Sequence, residues 1–378
     1  MTTMTMWGSD PTYRTWPRFF WVSSPDLKTW SDVVWGEPIG IDPHLFQDPN
    51  TGKNYLHAMG LDNVYDKIWG ISQCEVDLVS GKCLGPWFRT WNGSLPVSPS
   101  ARPEGPKVFY KDGYYYLIAA EGGTGVTHRA TIARSKSIEG PWESSPTNPL
   151  LYHGDDDTLT VGNTGHATFS KTPDGKWFAT FLARRYVDSW SILGREAFFA
   201  PVEWTDDGWP IVNGGKRILL SQSYDFGPDL EYPKKPFEDL FDGQELRNDW
   251  YELRSPYTQN YYLKKGNCPS RKRTASNSTS GVVLVPNVFT LTDRDTPAAL
   301  LRKQTSVNMT FSATLLATDA ELGRNSSVGI TVYAHEGAHQ EIGVRGCLRS
   351  SGQCIFVDST VKAPGPGTPP VVSLYGLA

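Results

Sequence analysis

Long apolar runs, an excess of basic charge and helical periodicity are all missing from this sequence. No stretch approaches the roughly 18 to 20 apolar residues that a membrane-spanning helix needs, so we expect no membrane partner. The formal net charge is −4, with 36 Lys and Arg against 40 Asp and Glu, which argues against a nucleic-acid partner. No segment sustains a 3.6-residue apolar period, so a helical protein is not predicted.

Cysteine is scarce, at five residues, but its placement is informative. Cys74 and Cys83 flank one short segment and Cys347 and Cys354 flank another, so each pair is predicted to close a hairpin as a disulfide. Cys268 is left over. The disulfides and four N-x-S/T sequons predict a secreted, extracellular protein, although the first residues lack the plan of a signal peptide. The sequons begin at Asn92, Asn277, Asn308 and Asn325.

A repeated segment is the main positive feature of the sequence. Its copies read IDPHLFQDPNTGKNYLHAM, PEGPKVFYKDGYYYLIAAEGG and GHATFSKTPDGKWFATFLARR, and they place Asp42, Glu104 and His166 at equivalent points, 62 residues apart twice. Each copy has an aromatic-rich run, a turn with Gly and a second run, which predicts a β-hairpin, and two further strands follow. Four strands per repeat are typical of a β-propeller blade.

The predicted fold is all-β, with two domains. Residues 1–225 are expected to form a five-bladed propeller that lacks its first blade and part of its second, because three full repeats begin near residues 40, 102 and 164 and only outer strands precede them. Residues 226–236 are Pro-rich and charged, as in a linker. Residues 237–378 alternate apolar and polar side chains, which favours a β-sandwich, and we expect this domain to be incomplete.

The polar residues of the repeat point to acid/base chemistry. The first strand of each blade lines the central channel, so Asp42 and Glu104 are expected to converge there. Desolvation and mutual repulsion would then raise one carboxyl pKa, as the acid of glycoside hydrolysis requires. The alternative is that both residues cap turns before strands. His166 is either a hydrogen-bonded core histidine or a metal ligand.

Five segments together resemble one enzyme family. GIDPHLFQD, RPEGPKVFYKDGYYYLIAAEGGT, TIARSKSIEGPWE, TGHATF and LGREAFFAPVEW, in this order, are similar to family 43 glycoside hydrolases of the β-xylosidase and α-L-arabinofuranosidase group. The resemblance implies a five-bladed propeller followed by a concanavalin-like, jelly-roll sandwich. It also implies inverting hydrolysis of xylosyl or arabinofuranosyl linkages in plant cell-wall carbohydrate, with xylan- or arabinoxylan-derived substrates and no required cofactor.

The same resemblance assigns roles to individual residues. Glu104 in RPEGP is expected to be the general acid, and Asp42 in GIDPHLF the modulator of its pKa. Arg195 in LGREAF and His128 in GGTGVTH are expected to bind substrate. His166 in TGHATF is expected to lie near the axis, where it contacts substrate or a structural calcium ion.

The general base of the family has no counterpart in this sequence. It belongs to a PDP-type segment that opens the first blade, and Asp10 in GSDPTY is only a superficial match. The loss of water activation predicts an impaired glycosidase. The alternative is a catalytically inactive, carbohydrate-binding relic.

One motif is expected to mislead. His335, Glu336 and His339 satisfy the H-E-x-x-H pattern of zinc proteases, whose chemistry requires a helix. The flanking segments VGITVYA and QEIGVRG alternate as strands do. A hairpin is therefore predicted here in place of a zinc site.

Overall fold

The computed structural model describes residues 2–7, 14–61, 68–227, 236–264, 280–315, 322–323, 325–347, 351–361 and 371–375. In these ranges the chain is built of strands, apart from one short 3-10 turn at Asn213–Gly215, so the all-β prediction is confirmed. No helix among them is long and apolar enough to cross a membrane. The chain forms two compact units, Met1–Leu230 and Glu231–Ala378. Asp10, Cys268 and the sequon at Asn277 lie outside the described residues.

The described residues of the first unit form four antiparallel sheets that follow one another along the chain. Sheet 1 contains β1 (Thr2–Trp7), β2 (Arg14–Trp21) and β3 (Val34–Ile39). Sheet 2 contains β4 (Ile41–Gln47), β5 (Asn54–Leu61), β6 (Trp69–Glu75) and β7 (Phe88–Trp91). Sheet 3 contains β8 (Glu104–Lys111), β9 (Tyr114–Glu121), β10 (Arg129–Ser135), β11 (Glu143–Ser144) and β12 (Leu151–Tyr152). Sheet 4 contains β13 (Val161–Lys171), β14 (Trp177–Arg185), β15 (Arg195–Trp204) and β16 (Pro210–Val212).

Each of sheets 2 to 4 opens with the hairpin that the repeat predicts. In sheet 3 the turn between β8 and β9 is formed by Asp112 and Gly113, both with positive φ, 49° and 79°. Two such residues give the tight turn whose twist matches that of the flanking strands. The pairing then runs from Lys111 opposite Tyr114 to Glu104 opposite Ala120. The sequence therefore fixes which end of the hairpin Glu104 occupies.

Apolar side chains pack each sheet against the next. Phe19 of sheet 1 packs with Leu56 of sheet 2, and both are fully buried. Ile71 of sheet 2 packs with Leu117 of sheet 3. The largest cluster joins sheets 3 and 4 and includes Tyr116, Ile118, Ile132, Phe181 and Val202. Because alternate residues of a strand face opposite sides, one strand can supply two of these interfaces. The number of blades in a complete ring stays a prediction.

The second unit contains short strand pairs and one larger sheet. The pairs are β17 (Tyr251–Glu252) with β20 (Leu300–Leu301), and β18 (Tyr261–Lys264) with β19 (Gly281–Leu284). The larger sheet contains β21 (Ser327–His335), β22 (Ala338–Gly346), β23 (Gln353–Val361) and β24 (Val371–Tyr375). The sandwich architecture of this unit stays a prediction.

Two local predictions are confirmed by these strands. His335 ends β21 and His339 lies in β22, opposite Tyr333, so the H-E-x-x-H segment is a hairpin and lacks the helix that zinc proteolysis requires. Both predicted disulfides are present, one between Cys74 and Cys83 and the other between Cys347 and Cys354.

Candidate active site

Asp42, Glu104 and His166 lie at irregularities in the first strand of sheets 2, 3 and 4. The register of β4 against β5 shifts between Ile41 and His44, and that of β8 against β9 shifts between Glu104 and Lys107. The register of β13 against β14 shifts twice, on either side of Gly165. A bulge of this kind leaves a residue unpaired and redirects its side chain. The repeat therefore places the same strand irregularity at three equivalent points.

Left-handed backbone accompanies each of these irregularities. Asp42 and His166 both have φ of 54°, and Glu104 is followed by Gly105 with φ of 60°. Asp is among the non-glycine residues that tolerate this region best, whereas most others are strained there. Residues at active sites often hold such conformations because the surrounding structure determines them.

Two glycines allow His166 to lie next to the Glu104 backbone and His128 to lie next to the His166 backbone. A Cβ added to Gly105 would lie 2.0 Å from His166 Nε2, and one added to Gly165 would lie 2.6 Å from His128 Cε1. His166 thus lies on the backbone beside Glu104, and His128 lies on the backbone beside His166. Sequence reasoning missed these contacts, although the signal is present in EGP and TGH.

Glu104 is the most perturbed carboxyl group of the site. It is 8% exposed, and burial, with a further contribution from the negative charge of Asp42, raises its pKa to about 7. The positive charges of Arg102 and Arg195 act in the opposite direction. A carboxyl group with this pKa is partly protonated near neutral pH, so it can donate a proton there.

The histidines of the site are held in their neutral form. Burial lowers the pKa of His128, whose Nδ1 lies 2.9 Å from the carbonyl oxygen of Asn163, so the ring proton is on Nδ1. Burial also lowers the pKa of His166; Asp42 opposes this change and the positive charge of Lys107 adds to it. The Nε2 of neutral His128 is therefore an acceptor, which suits the O–H of a sugar hydroxyl group.

Lys107 is a site residue that the sequence did not single out. It lies in β8, three residues after Glu104, and it is half-buried. Burial lowers its pKa, and the negative charge of Asp42 opposes this effect. In the sequence, Lys107 is the Lys of PEGPK and has the pattern of an ordinary surface residue. Only the register shift in β8 shows that it belongs to the site.

The surroundings of His166 do not match a calcium site made of protein ligands. Across the described ranges no group of three or more His, Cys, Asp or Glu side chains is arranged to hold a metal ion. Calcium prefers six to eight oxygen ligands, whereas the charges acting on His166 are the single negative charge of Asp42 and the positive charges of Lys107 and Arg195. These residues therefore do not favour a calcium ion beside His166.

The chain resembles known proteins in both its sequence and its fold. The model of Glycosyl hydrolases family 43 matches residues 5–210. The chain belongs to this family. It is 34% identical over 318 residues to a non-reducing end α-L-arabinofuranosidase of Bacteroides ovatus, covering 82% of this chain and 54% of the relative. It is 37% identical over 246 residues to a xylosidase/arabinosidase of Butyrivibrio fibrisolvens, covering 58% and 46%.

Solved structures of family 43 agree with this assignment. The crystal structure of a xylan β-1,4-xylosidase from Bacillus halodurans superimposes with a TM-score of 0.75 at 25% identity, covering 96% of this chain and 66% of that chain. The chain spans about half the length of the curated relatives that it matches. The predicted resemblance to family 43 is confirmed.

Proposed function

We propose that this chain carries the acid side of a glycosidase site that cleaves xylosyl or arabinofuranosyl linkages of plant cell-wall carbohydrate. The observation that carries the proposal is the buried Glu104, whose pKa is raised to about 7 beside Asp42. Two relatives of the chain, an α-L-arabinofuranosidase and a xylosidase/arabinosidase, support this substrate class.

The proposed reaction is a single displacement with inversion. Glu104 donates its proton to the glycosidic oxygen while the bond between that oxygen and the anomeric carbon breaks, and the leaving sugar departs as an alcohol. A water molecule attacks the anomeric carbon from the opposite face and gives its proton to a general base. None of the described site residues is assigned to that base. Asp42 acts through its charge, which keeps the proton on Glu104 near neutral pH.

The remaining site residues are proposed to bind the sugar. Arg195 opens β15, and its charge acts on Glu104, His128 and His166, so its guanidinium lies near all three. Guanidinium groups donate several hydrogen bonds in a fixed geometry, which suits neighbouring sugar hydroxyls. The neutral rings of His128 and His166 supply further hydrogen bonds.

Extracellular location is proposed as well. The two disulfides of the structure favour an oxidising compartment. Of the sequons, Asn92, Asn308 and Asn325 are exposed. Mass spectrometry of the protein from a secreting eukaryotic host would show glycans at these residues, and unmodified peptides would contradict the proposal.

The acid role is tested by leaving-group dependence. The wild-type chain and the Glu104→Gln variant are assayed on aryl and alkyl xylosides and arabinofuranosides. We expect the variant to lose about 10²- to 10⁴-fold in kcat/KM on alkyl glycosides, and less on nitrophenyl glycosides, which leave without a proton. The exposed Glu139→Gln is the matched control, with unchanged activity.

Three outcomes separate the possibilities. Near-normal turnover of alkyl glycosides by the Glu104 variant would show that the acid is a different group. Sugar binding without turnover by the wild-type chain would favour the inactive relic. Proton NMR of the first product separates inversion from retention.

A further inference from the structure

A second buried carboxylate lies close to Glu104 without being able to reach substrate. Glu121 is the last residue of β9 and is 0% exposed. Its Oε1 accepts hydrogen bonds from the backbone nitrogens of Ser94, at 2.9 Å, and Leu95, at 3.1 Å. Its Oε2 accepts one from Ser94 Oγ at 2.6 Å. Hydrogen bonds to a carboxylate are among the strong ones, so this side chain holds the loop of residues 93–95 firmly.

The loop that Glu121 binds is packed against the residue before Glu104. Gly93 has φ of 86°, and a Cβ at this position would lie 2.1 Å from Glu121 Oε1 and 3.2 Å from Pro103 Cβ. The loop therefore lies between Glu121 and Pro103 with no room for a side chain. Removal of the Glu121 carboxylate would release one side of this contact.

A neighbouring backbone contact fixes the same segment. The amide of Gly122 donates to the carbonyl oxygen of Ala101 at 2.7 Å, and Glu104 pairs with Ala120 in the sheet. Between these points Arg102 has φ of 44°, a left-handed conformation that persists only where the surroundings impose it. Residues 101–104 are thus held in a strained path by residues 120–122 and the loop.

We propose that Glu121 is a positioning residue: its carboxylate holds the loop of residues 93–95 against Pro103 and thereby keeps Glu104 in its buried place. The inference rests on the proposed role of Glu104 as general acid. Glu121 itself touches no reacting atom, because it is fully enclosed.

Three substitutions separate the effect of the loop contacts of Glu121 from the effect of its charge. Glu121→Ala removes all three hydrogen bonds. Ser94→Ala removes only the one at Oε2. Glu121→Gln removes the charge but can keep the geometry, since its oxygen can accept from both backbone nitrogens while its amide donates to Ser94 Oγ.

The chain offers a matched control at the end of β4 that lies away from the site. Asp48, 1% exposed, follows β4 and accepts hydrogen bonds from the Asn50 nitrogen, from Thr51 Oγ1 at 2.6 Å and from Tyr115 Oη. Asp48→Ala and Thr51→Ala therefore remove a buried carboxylate and a 2.6 Å hydroxyl bond without touching the site. They report the effect of lost stability alone.

The readout is the pKa of Glu104, measured by NMR with ¹³C in the glutamate carboxyl groups. The signal of Glu104 is assigned by its loss in Glu104→Gln. We expect Glu121→Ala to lower this pKa by about one unit or more, from about 7 toward the ordinary 4.5, because water reaches the carboxyl group. Ser94→Ala should lower it less, and Glu121→Gln should leave it near the wild-type value. The charged groups that face Glu104, namely Asp42, Arg102 and Arg195, are the same in every variant.

The control variants show whether a change in the pKa of Glu104 comes from lost positioning or from lost stability. Asp48→Ala and Thr51→Ala should lower the melting temperature and leave the pKa of Glu104 unchanged. An unchanged pKa in Glu121→Ala, with a similar loss of melting temperature, would show that Glu121 is merely structural. A shift in Glu121→Gln equal to that in Glu121→Ala would show that charge, and not position, is its contribution.

The titration does not depend on turnover. The positioning role can therefore be confirmed or refuted even if the wild-type chain hydrolyses nothing, which would contradict only the proposed function. Where turnover is measurable, Glu121→Ala should lose about 10- to 100-fold in kcat on alkyl glycosides with little change in KM, because displacement of the acid affects the transition state more than substrate binding.

Discussion

Acid should destabilise the first unit through two buried histidines, His44 and His57. They lie opposite each other in β4 and β5, and His57 is 0% exposed. Burial lowers the pKa of His57 to about 3, and the neighbouring His44 adds to the effect. Burial, with the charge of Lys107, lowers the pKa of His44 to about 4, although its Nε2 lies 3.1 Å from the Val108 carbonyl oxygen.

The sign and size of the effect follow from these values. Above about pH 7 both histidines are neutral in the folded and the unfolded chain, so neither alters stability. Below the ordinary pKa of 6.5 the unfolded chain binds protons that the folded chain does not, so stability falls as the pH falls toward 4. One pKa unit corresponds to about 1.4 kcal/mol, so each histidine costs about 2 kcal/mol at about pH 5. The pair costs about 4 kcal/mol, a large part of the usual 5 to 15 kcal/mol.

Urea unfolding followed by tryptophan fluorescence tests this at about pH 7.5 and about pH 5. The variant His57→Gln cannot titrate, so its loss of stability between the two pH values should be smaller than that of the wild type by about 2 kcal/mol. Met59→Ala is the control, since Met59 lies in the same strand and is 1% exposed. This variant should lose the same free energy of unfolding, relative to the wild type, at both pH values. An identical pH dependence in His57→Gln and wild type would refute the reasoning.

Two further predictions concern the site. Asp42→Asn removes a charge that raises the pKa of Glu104, so that pKa should fall below about 7 in the NMR titration; no change would show that burial alone sets it. Gly105→Ala would place a Cβ 2.0 Å from His166 Nε2, so activity should fall by about 10-fold or more. Gly52→Ala is its control, because Gly52 also has positive φ, 73°, but has open space around it; equal losses in both would assign the effect to backbone strain.

The sequence was sufficient to predict features that depend on residues close together in the chain. The turn of Asp112 and Gly113 and the hairpin at His335 are encoded by a few adjacent residues, and the 62-residue repeat placed Asp42, Glu104 and His166 at equivalent strand starts. These predictions needed only strand periodicity and turn chemistry.

Features that depend on contact between sheets were not predictable. His57 stands in YLHAM as an ordinary strand residue, yet it is 0% exposed, two residues after Tyr55, which packs with Leu117 of sheet 3. Glu121 and Lys107 are likewise charged residues whose neighbours, Ser94 and Asp42, are distant in the sequence. Register shifts in β4, β8 and β13 also alter which side chains face the site, since a shift of one residue exchanges the two faces of a strand.

Backbone strain at the site is found at the bulges and in the segment that leads into β8. Asp42, Arg102, Asn163 and His166 all have φ between 44° and 54°, and such a conformation costs about 1 to 2 kcal/mol for a residue with a side chain. The same bulges turn Glu104 into the interior, where its pKa rises. Relief of the strain would therefore also return Glu104 to water and lower that pKa. The apolar interfaces between sheets offset the strain. Stabilising substitutions in these interfaces should therefore leave the pKa of Glu104 unchanged.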